Sequence, residues 1–326
     1  MMVFAAVLKN NIMRLAENKA RLLLFLFLTA CSIAAALFIN ASADNVGYIA
    51  VVSNDDITLP TEFINIIHLE EAPPMSELVA GKYGAAVIFD ERGGHEIRTV
   101  RNEEFKQTLE ALITNPAEFT AEQIGSRGSG TNIVGFMMMF ILMQGVSMTF
   151  MFAEDKEKKQ IKRIAASPVS FSGYLSAHSF FTFAALLAPV IAMLTIVRFA
   201  FNIGIGFGIP KYLFVISLLC FFATAFALFL ISFIKKSDSA NMVGSAVIVL
   251  TSILSGGFYS FDKGNKILEA IIKVLPQKSF LTMSELLEQG KDITLWYPHA
   301  TYILALSIFF LAASVIKTRK EYVNRG

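Results

Sequence analysis

The sequence predicts an all-α membrane protein with six transmembrane helices and an extracytoplasmic α+β insert between the first and second spans. Three observations predict it. Apolar residues are gathered into six long runs, Lys and Arg collect on alternate connections, and one long connection is polar, acidic and patterned as strands and short helices.

Composition sets the class. The chain has 326 residues, of which 55% are hydrophobic and only 17% charged. Soluble domains average roughly 25% charged residues. Thirty Phe and thirteen Met exceed what one soluble core of this length holds. The excess lies in residues 22–39, 133–153, 179–197, 212–234, 242–259 and 301–316. A bilayer core of about 30 Å takes about 20 helical residues, which the first five runs supply. The sixth is short, but Trp296 and Tyr297 precede it where an interfacial aromatic belt would lie. None of the runs alternates with the period of two expected of a barrel strand.

Charge asymmetry orients the spans. Basic residues flank them at Lys9, Arg14, Lys19 and Arg21, at Lys156, Lys158, Lys159, Lys162 and Arg163, at Lys235 and Lys236, and at Lys317, Arg319, Lys320 and Arg325. Six spans bring these four segments to one face, so both termini are expected in the cytoplasm. Residues 43–130 carry 15 acidic and 6 basic side chains, a net charge of −9, and are expected outside.

The elements follow in order. Residues 1–20 place Phe4, Val7, Leu8, Ile12 and Leu15 at helical spacing, which predicts a cytoplasmic interfacial helix. The first span is 21–42. "LTAC" at 28–31 and Ala41-Ser42-Ala43 resemble processing sites, but an apolar core of this length exceeds a signal core and reads as a retained anchor. In 43–130, "VGYIAVV" and "YGAAVIF" read as strands, "HEIRTVRN" as a hairpin partner, and "LPTEFINII", "MSELVAGK" and 103–124 as helices. "GSRGSG" then reads as a flexible joint. Residues 131–326 hold five spans, and within them 260–292 read as two short amphipathic helices broken at Pro276, an outer or re-entrant pair.

Motifs exclude more than they assign. His68 and His95 lack a second His or Cys at ligand spacing, so no metal site is read. Cys31 and Cys220 lie inside spans and imply no disulfide framework. No phosphate-binding G-x-x-x-x-G-K-[ST] occurs, and "GIGFG" at 204–208 reads as a tight inter-span turn. No span centre holds Asp, Glu, Lys or Arg, which argues against a proton- or ion-coupled carrier. No catalytic residues are identified. Polar residues in the second and fifth spans, Gln144, Ser147, Thr149, Ser245, Thr251, Ser252 and Ser255, are candidates to line a transport path. Helix packing explains such residues equally well.

The segment 154–168 is the most informative. Eight of its first ten residues are charged. Ile161, Ile164 and Ala165 fall on one helical face, and Lys158, Lys159, Lys162 and Arg163 surround them. Ser167-Pro168 should end the helix, because the residue before proline avoids the α region. Such a helix suits anionic headgroups or a groove on another protein.

This segment resembles the inner loop of ABC-2 type exporter permeases, which reads E-x-E-(K/R)-G-T-x-x-(R/K)-L-x-x-(S/T)-P. Here the residues are Glu157-Lys158-Lys159-Gln160-Ile161-Lys162-Arg163-Ile164-Ala165-Ala166-Ser167-Pro168. The R-x-x-x-S-P end matches, and Lys159-Gln160 replaces the Gly-Thr. The span order, the outer insert and the broken pair before the last span are also similar. The resemblance implies that 154–168 is a coupling helix. Glu157, Lys158, Lys159, Gln160, Ile161, Arg163, Ile164, Ala165, Ser167 and Pro168 would then dock into a separate ATPase. It further implies two cytoplasmic ABC ATPase subunits that bind ATP and Mg, a second permease, identical or homologous, and contact with membrane lipid. No cofactor is expected in this chain, and no nucleic-acid partner. Two other readings stay open: a membrane sensor or immunity protein that signals without transport, and, more weakly, a membrane-embedded enzyme.

Overall fold

The computed structural model describes residues 2–43, 49–53, 66–69, 71–79, 83–89, 94–100, 103–114, 128–166, 171–234, 236–256 and 266–322. Contacts divide the chain into two compact units. One joins Met1–Leu37, Gly128–Tyr259 and Asn265–Gly326; the other joins Phe38–Arg127 and Ser260–Gly264.

The smaller unit contains a four-stranded sheet of β1 (Ile49–Val52), β2 (Ile66–His68), β3 (Ala85–Phe89) and β4 (His95–Arg98) in the order β2-β1-β3-β4. β1 runs parallel to both β2 and β3, and β3 pairs antiparallel with β4. Alternation of side chains along each strand gives the sheet two apolar faces. Ile49, Val51, Ala85, Val87 and Ile97 pack with Leu109 and Leu112 of α4 (Glu103–Thr114). Ala50 and Ala86 pack with Tyr83 and with Leu78 of α3 (Met75–Val79). The hairpin read from "YGAAVIF" and "HEIRTVRN" is β3–β4. The helix read over "LPTEFINII" is corrected at its end: Ile66 and Ile67 are strand residues, paired with Ile49 and Ala50 of β1. Residues 59–65 lie outside the described set.

The larger unit is helical. α1 (Met2–Glu17) and α2 (Lys19–Ala43) are followed by α5 (Ser129–Met148), α6 (Phe150–Glu157), α7 (Gln160–Ala165), α8 (Phe171–Phe199) and α9 (Ile209–Phe233). Then come α10 (Ser237–Leu254), α11 (Lys266–Val274), α12 (Pro276–Glu288) and α13 (Ile293–Tyr322). Among the described residues, five helical elements are long and apolar enough to cross a membrane: Ser129–Glu157, Phe171–Phe199, Ile209–Phe233, Ser237–Leu254 and Ile293–Glu321. Val3–Glu17 and Leu22–Phe38 meet the same measure only together, across an 82° bend, which raises the number to six at most. Pro276 at the first turn of α12 separates it from α11, as a residue without an N–H and with fixed φ does at a helix start.

α5 and α9 form the centre of this unit. Met137, Met138, Ile141, Tyr212, Ile216 and Leu219 are fully buried between neighbouring helices. The two helices approach closely where Gly145 faces Ala223; a Cβ at 145 would sit 3.1 Å from that of Ala223. α10 comes against both at Gly244, where a Cβ would meet Leu230 at 2.9 Å and Val146 at 3.1 Å. Small residues at such contacts allow the dispersion and backbone approach that hold helices together in lipid.

At the N-terminal end of α5 the packing turns polar. The Glu288 carboxylate, at the end of α12, accepts hydrogen bonds from the Gly130 N–H at 2.7 Å, the Thr131 N–H at 2.8 Å and the Thr131 hydroxyl at 2.7 Å. An anion there satisfies unpaired first-turn donors and complements the helix dipole. Lys211 donates to the Leu287 carbonyl at 2.8 Å. Gly206, at φ +78°, lies so close that a Cβ would fall 2.2 Å from the Gly130 nitrogen. The "GIGFG" turn therefore needs its middle glycine.

Candidate functional site

The charged run at the end of α6 is a junction of helices. Four consecutive residues, 154–157, reach four other helices. Glu154 and Asp155 both receive Arg14 of α1, each at 3.0 Å. Asp155, only 4% exposed, also accepts from the Tyr174 hydroxyl of α8 at 2.7 Å. The Lys156 ammonium donates to the Ile231 and Ser232 carbonyls at 2.9 and 3.1 Å. These are end carbonyls of α9, where a cation is favourable. Glu157 accepts the Ser237 N–H at 2.8 Å and so caps the start of α10. One turn thus joins α1, α8, α9 and α10.

Asp155 is the most enclosed member. Behind it, His178 Nε2 lies 3.5 Å from the carboxylate, and the Asn11 amide donates to His178 Nδ1 at 3.2 Å. Phe152 and Tyr174 cross His178 edge-on at 5.7 and 4.6 Å between ring centres. The apolar run starting at 179 excluded His178 from its span. α8 begins eight residues earlier, at Phe171, and brings His178 into the helix. Asp155, Tyr174, His178 and Asn11 were not singled out by sequence, and Arg14 was read only as a flanking charge. Their one signal was a pair of acids directly at the end of an apolar run.

The exposed apolar ridge expected on 154–168 is corrected. Ile161 is completely buried, packed with Phe152, Phe171, Tyr174, Leu228, Ile231 and Ala240, and Ile164 is half-buried against the same cluster. The helical face is apolar as read, but the chain itself covers it. α7 is short because Lys159 adopts a left-handed conformation, φ 56°, which ends α6 and turns the chain. The exposed residues are Glu157, Lys158, Lys159, Gln160, Lys162, Arg163 and Ala166. Ala165 ends α7. Ser167 and Pro168 lie outside the described residues.

The polar residues of the second and fifth spans divide into two groups. Gln144 is buried, and its amide donates to the Thr29 hydroxyl of α2 at 3.3 Å, the Thr29 proton going to the Phe25 carbonyl at 2.9 Å. The buried hydroxyls of Thr149 and Ser255 return to helix carbonyls at 2.7 and 2.9 Å. Ser252 is fully buried, with no hydrogen-bond partner for its hydroxyl among the described residues. Ser147, Ser245 and Thr251 keep part of their surface open. Four of the seven are thus buried and three keep exposed surface.

Among the described residues the larger unit is a helical bundle with five, at most six, elements able to cross a membrane and a charged turn whose exposed rim is mostly basic. The profile described as "ABC-2 family transporter protein" matches residues 93–316, well over half of the chain, and the protein belongs to that family. It is a permease of that type, and such permeases generally work with ABC ATPase partners. No curated protein matches the chain significantly.

Proposed function

We propose that the chain is the membrane-spanning subunit of an ATP-driven exporter. In this reading α2 and the five long helical elements make six spans, α1 lies along the cytoplasmic surface, and both termini are cytoplasmic. The strand-bearing unit lies outside, between the first and second spans. Two permeases, identical or homologous, surround the path. Two separate cytoplasmic ATPases bind ATP and Mg, and this chain supplies no nucleotide site.

The observation that carries the reading is the α6–α7 turn. Its outer rim of Lys158, Lys159, Gln160, Lys162 and Arg163 is open, while its inner residues hold four helices. An ATPase that grips the rim moves those helices together. Docking thus belongs to charge on the rim, not to the buried Ile161. The half-open Ser147, Ser245 and Thr251 are the residues of the expected path that remain free to meet cargo. The outward stripe of Met242, Leu250 and Ile253 on α10 suits lipid or the second permease.

The test is co-purification of the full chain with its ATPase. The double variant Lys162→Glu, Arg163→Glu should lose the ATPase and stop export, with an unchanged unfolding midpoint. Full ATPase recovery and export by that variant would overturn the assignment.

A further inference from the structure

A groove of about 490 Å³ runs along α8, between α1, α9 and α13. α8, α9 and α13 are each long and apolar enough to cross a membrane, and only 33% and 17% of the apolar stretches of α8 and α13 are covered by the protein itself. What meets the open side of the groove is therefore bilayer.

The groove is graded in polarity along α8. Ser172, Ser176 and Ser179 line one end. Phe180 and Phe183 line the other, and Phe221 of α9 and Leu311 of α13 complete its walls. Phe4 of α1 closes a side against Phe180, with ring centres 5.8 Å apart. Tyr174 sets the depth of the polar end, because it lies between Ser172 and Ser176 and bonds Asp155 of the charged turn. Such charges stand at the edge of hydrocarbon, not at its centre. Phe183, nine residues beyond Tyr174, lies about 13 Å deeper at 1.5 Å per residue. That is close to half of a bilayer core of about 30 Å. The groove thus spans one leaflet, from the interface to near the midplane.

Two hydroxyls at the polar end call for an acceptor. Ser179 donates to the Leu175 carbonyl at 2.9 Å. Ser172 and Ser176 are exposed, have no hydrogen-bond partner among the described residues, and share a face of α8 at i, i+4 spacing. A hydroxyl turned to lipid without an acceptor is unfavourable. A cation stands at the same end. α13 advances beside α9 toward the charged turn, Ser314 bonding the Leu228 carbonyl and Lys317 lying over the Phe233 ring. Arg319, exposed, follows the groove residue Val315 by four positions, one turn nearer that end on the same face.

We propose that this groove holds one phospholipid of the leaflet on the charged-turn side. An acyl chain lies along Phe180, Phe183 and Leu311, the ester carbonyls accept from Ser172 and Ser176, and the phosphate meets Arg319. The size agrees: the volume is about three times that of the engineered cavity of about 150 Å³ that takes up six-carbon benzene, room for a chain of on the order of eighteen carbons. A purely apolar ligand would leave the two serines and the arginine unmatched. Basic sites beside membrane-spanning helices hold lipid head groups in this way. The site does not depend on how the protein is energised.

The test uses the full chain purified in detergent, titrated with lipid and read by native mass spectrometry. The probes are palmitoyl-oleoyl phosphatidylglycerol and its diether analogue, which has the same head group and chains but no ester carbonyls. The wild type should retain one diester molecule saturably and hold the diether about three- to tenfold more weakly, the range of one net hydrogen bond. The double variant Ser172→Ala, Ser176→Ala should lose that preference. Arg319→Gln should weaken both lipids by the same factor. Ser176→Trp should fill the groove from its exposed side and abolish saturable retention of either lipid. Should the tryptophan variant fail to fold, the alanine pair, which leaves the packing intact, decides the matter. Equal affinities in the wild type, an unchanged preference in the alanine pair, or undiminished retention in Ser176→Trp would overturn the site. So would a wild-type dimer that retains no lipid and is split by Ser176→Trp, because the groove would then be an interface between copies.

Discussion

Thr131 gives Glu288 two hydrogen bonds, one from its backbone N–H and one from its hydroxyl, across 157 residues of sequence. The pair fixes the end of α12 to the first turn of α5, and the Gly130 N–H adds a third bond. Glu288→Ala leaves these donors unpaired and should cost about 2 kcal/mol, the upper range for a lost helix cap. Glu288→Gln keeps the shape and loses the charge, and should cost about half as much. Thermal unfolding of the detergent-purified protein measures both. Equal midpoints for wild type and Glu288→Ala would show that the clamp contributes nothing.

The glycines beside this clamp should respond unequally. Gly206 combines a positive φ of 78° with a backbone neighbour 2.2 Å from any Cβ, whereas a Cβ at Gly204 meets nothing within 4 Å. Gly206→Ala should therefore lose more than the roughly 1–2 kcal/mol of left-handed strain alone. Gly204→Ala should stay within about 0.5 kcal/mol of wild type, as surface substitutions do. Expression yield and unfolding midpoint, read side by side, decide it.

Asp155 should be the most sensitive position of the charged turn. Asp155→Ala strips partners from Arg14, Tyr174 and His178 at once and should cost about 3–5 kcal/mol, as breaking a buried pair does. Tyr174→Phe removes one hydrogen bond from that carboxylate and should cost about 1–2 kcal/mol. A double-mutant cycle with Arg14→Met and Asp155→Asn isolates the pair, and an interaction energy near zero would refute the ion pair's part in holding α1.

Ile161 and Gln160 are neighbours with opposite expectations. Ile161→Ala opens a hole in a closed cluster and should destabilise by about 2–5 kcal/mol, while Gln160→Ala on the exposed rim should leave stability unchanged. A proteolysis series across α7 separates them. An Ile161→Ala variant as resistant as wild type would mean that this side chain is not enclosed.

What could be read in the chain was local. All six apolar runs fall on long helices because a run of about twenty apolar residues is a local property, and the β3–β4 hairpin shows in its apolar run and glycine turn. The strand at Ile66–Ile67 did not show. Two apolar residues after a proline-led segment carry no period, and only pairing with β1 makes them extended. The burial of Ile161 was half legible: helical spacing told which face is apolar but not that Phe152, Phe171 and Leu228 would cover it. Arg14 and Asp155 were illegible as a pair, since 141 residues separate them.

The charged turn also sets an order of assembly during synthesis. Arg14 waits 141 residues for Asp155, Lys156 waits a further 75 for the Ile231 carbonyl, and Glu157 waits 80 for Ser237. Until the chain has grown past Ser237, Lys156 and then Glu157 wait for their helix partners, while Glu154 and Asp155 already meet Arg14. A fragment that stops between Glu157 and Ile231 therefore carries one ammonium and one carboxylate whose backbone partners are not yet made, so the last two helices of the junction close it.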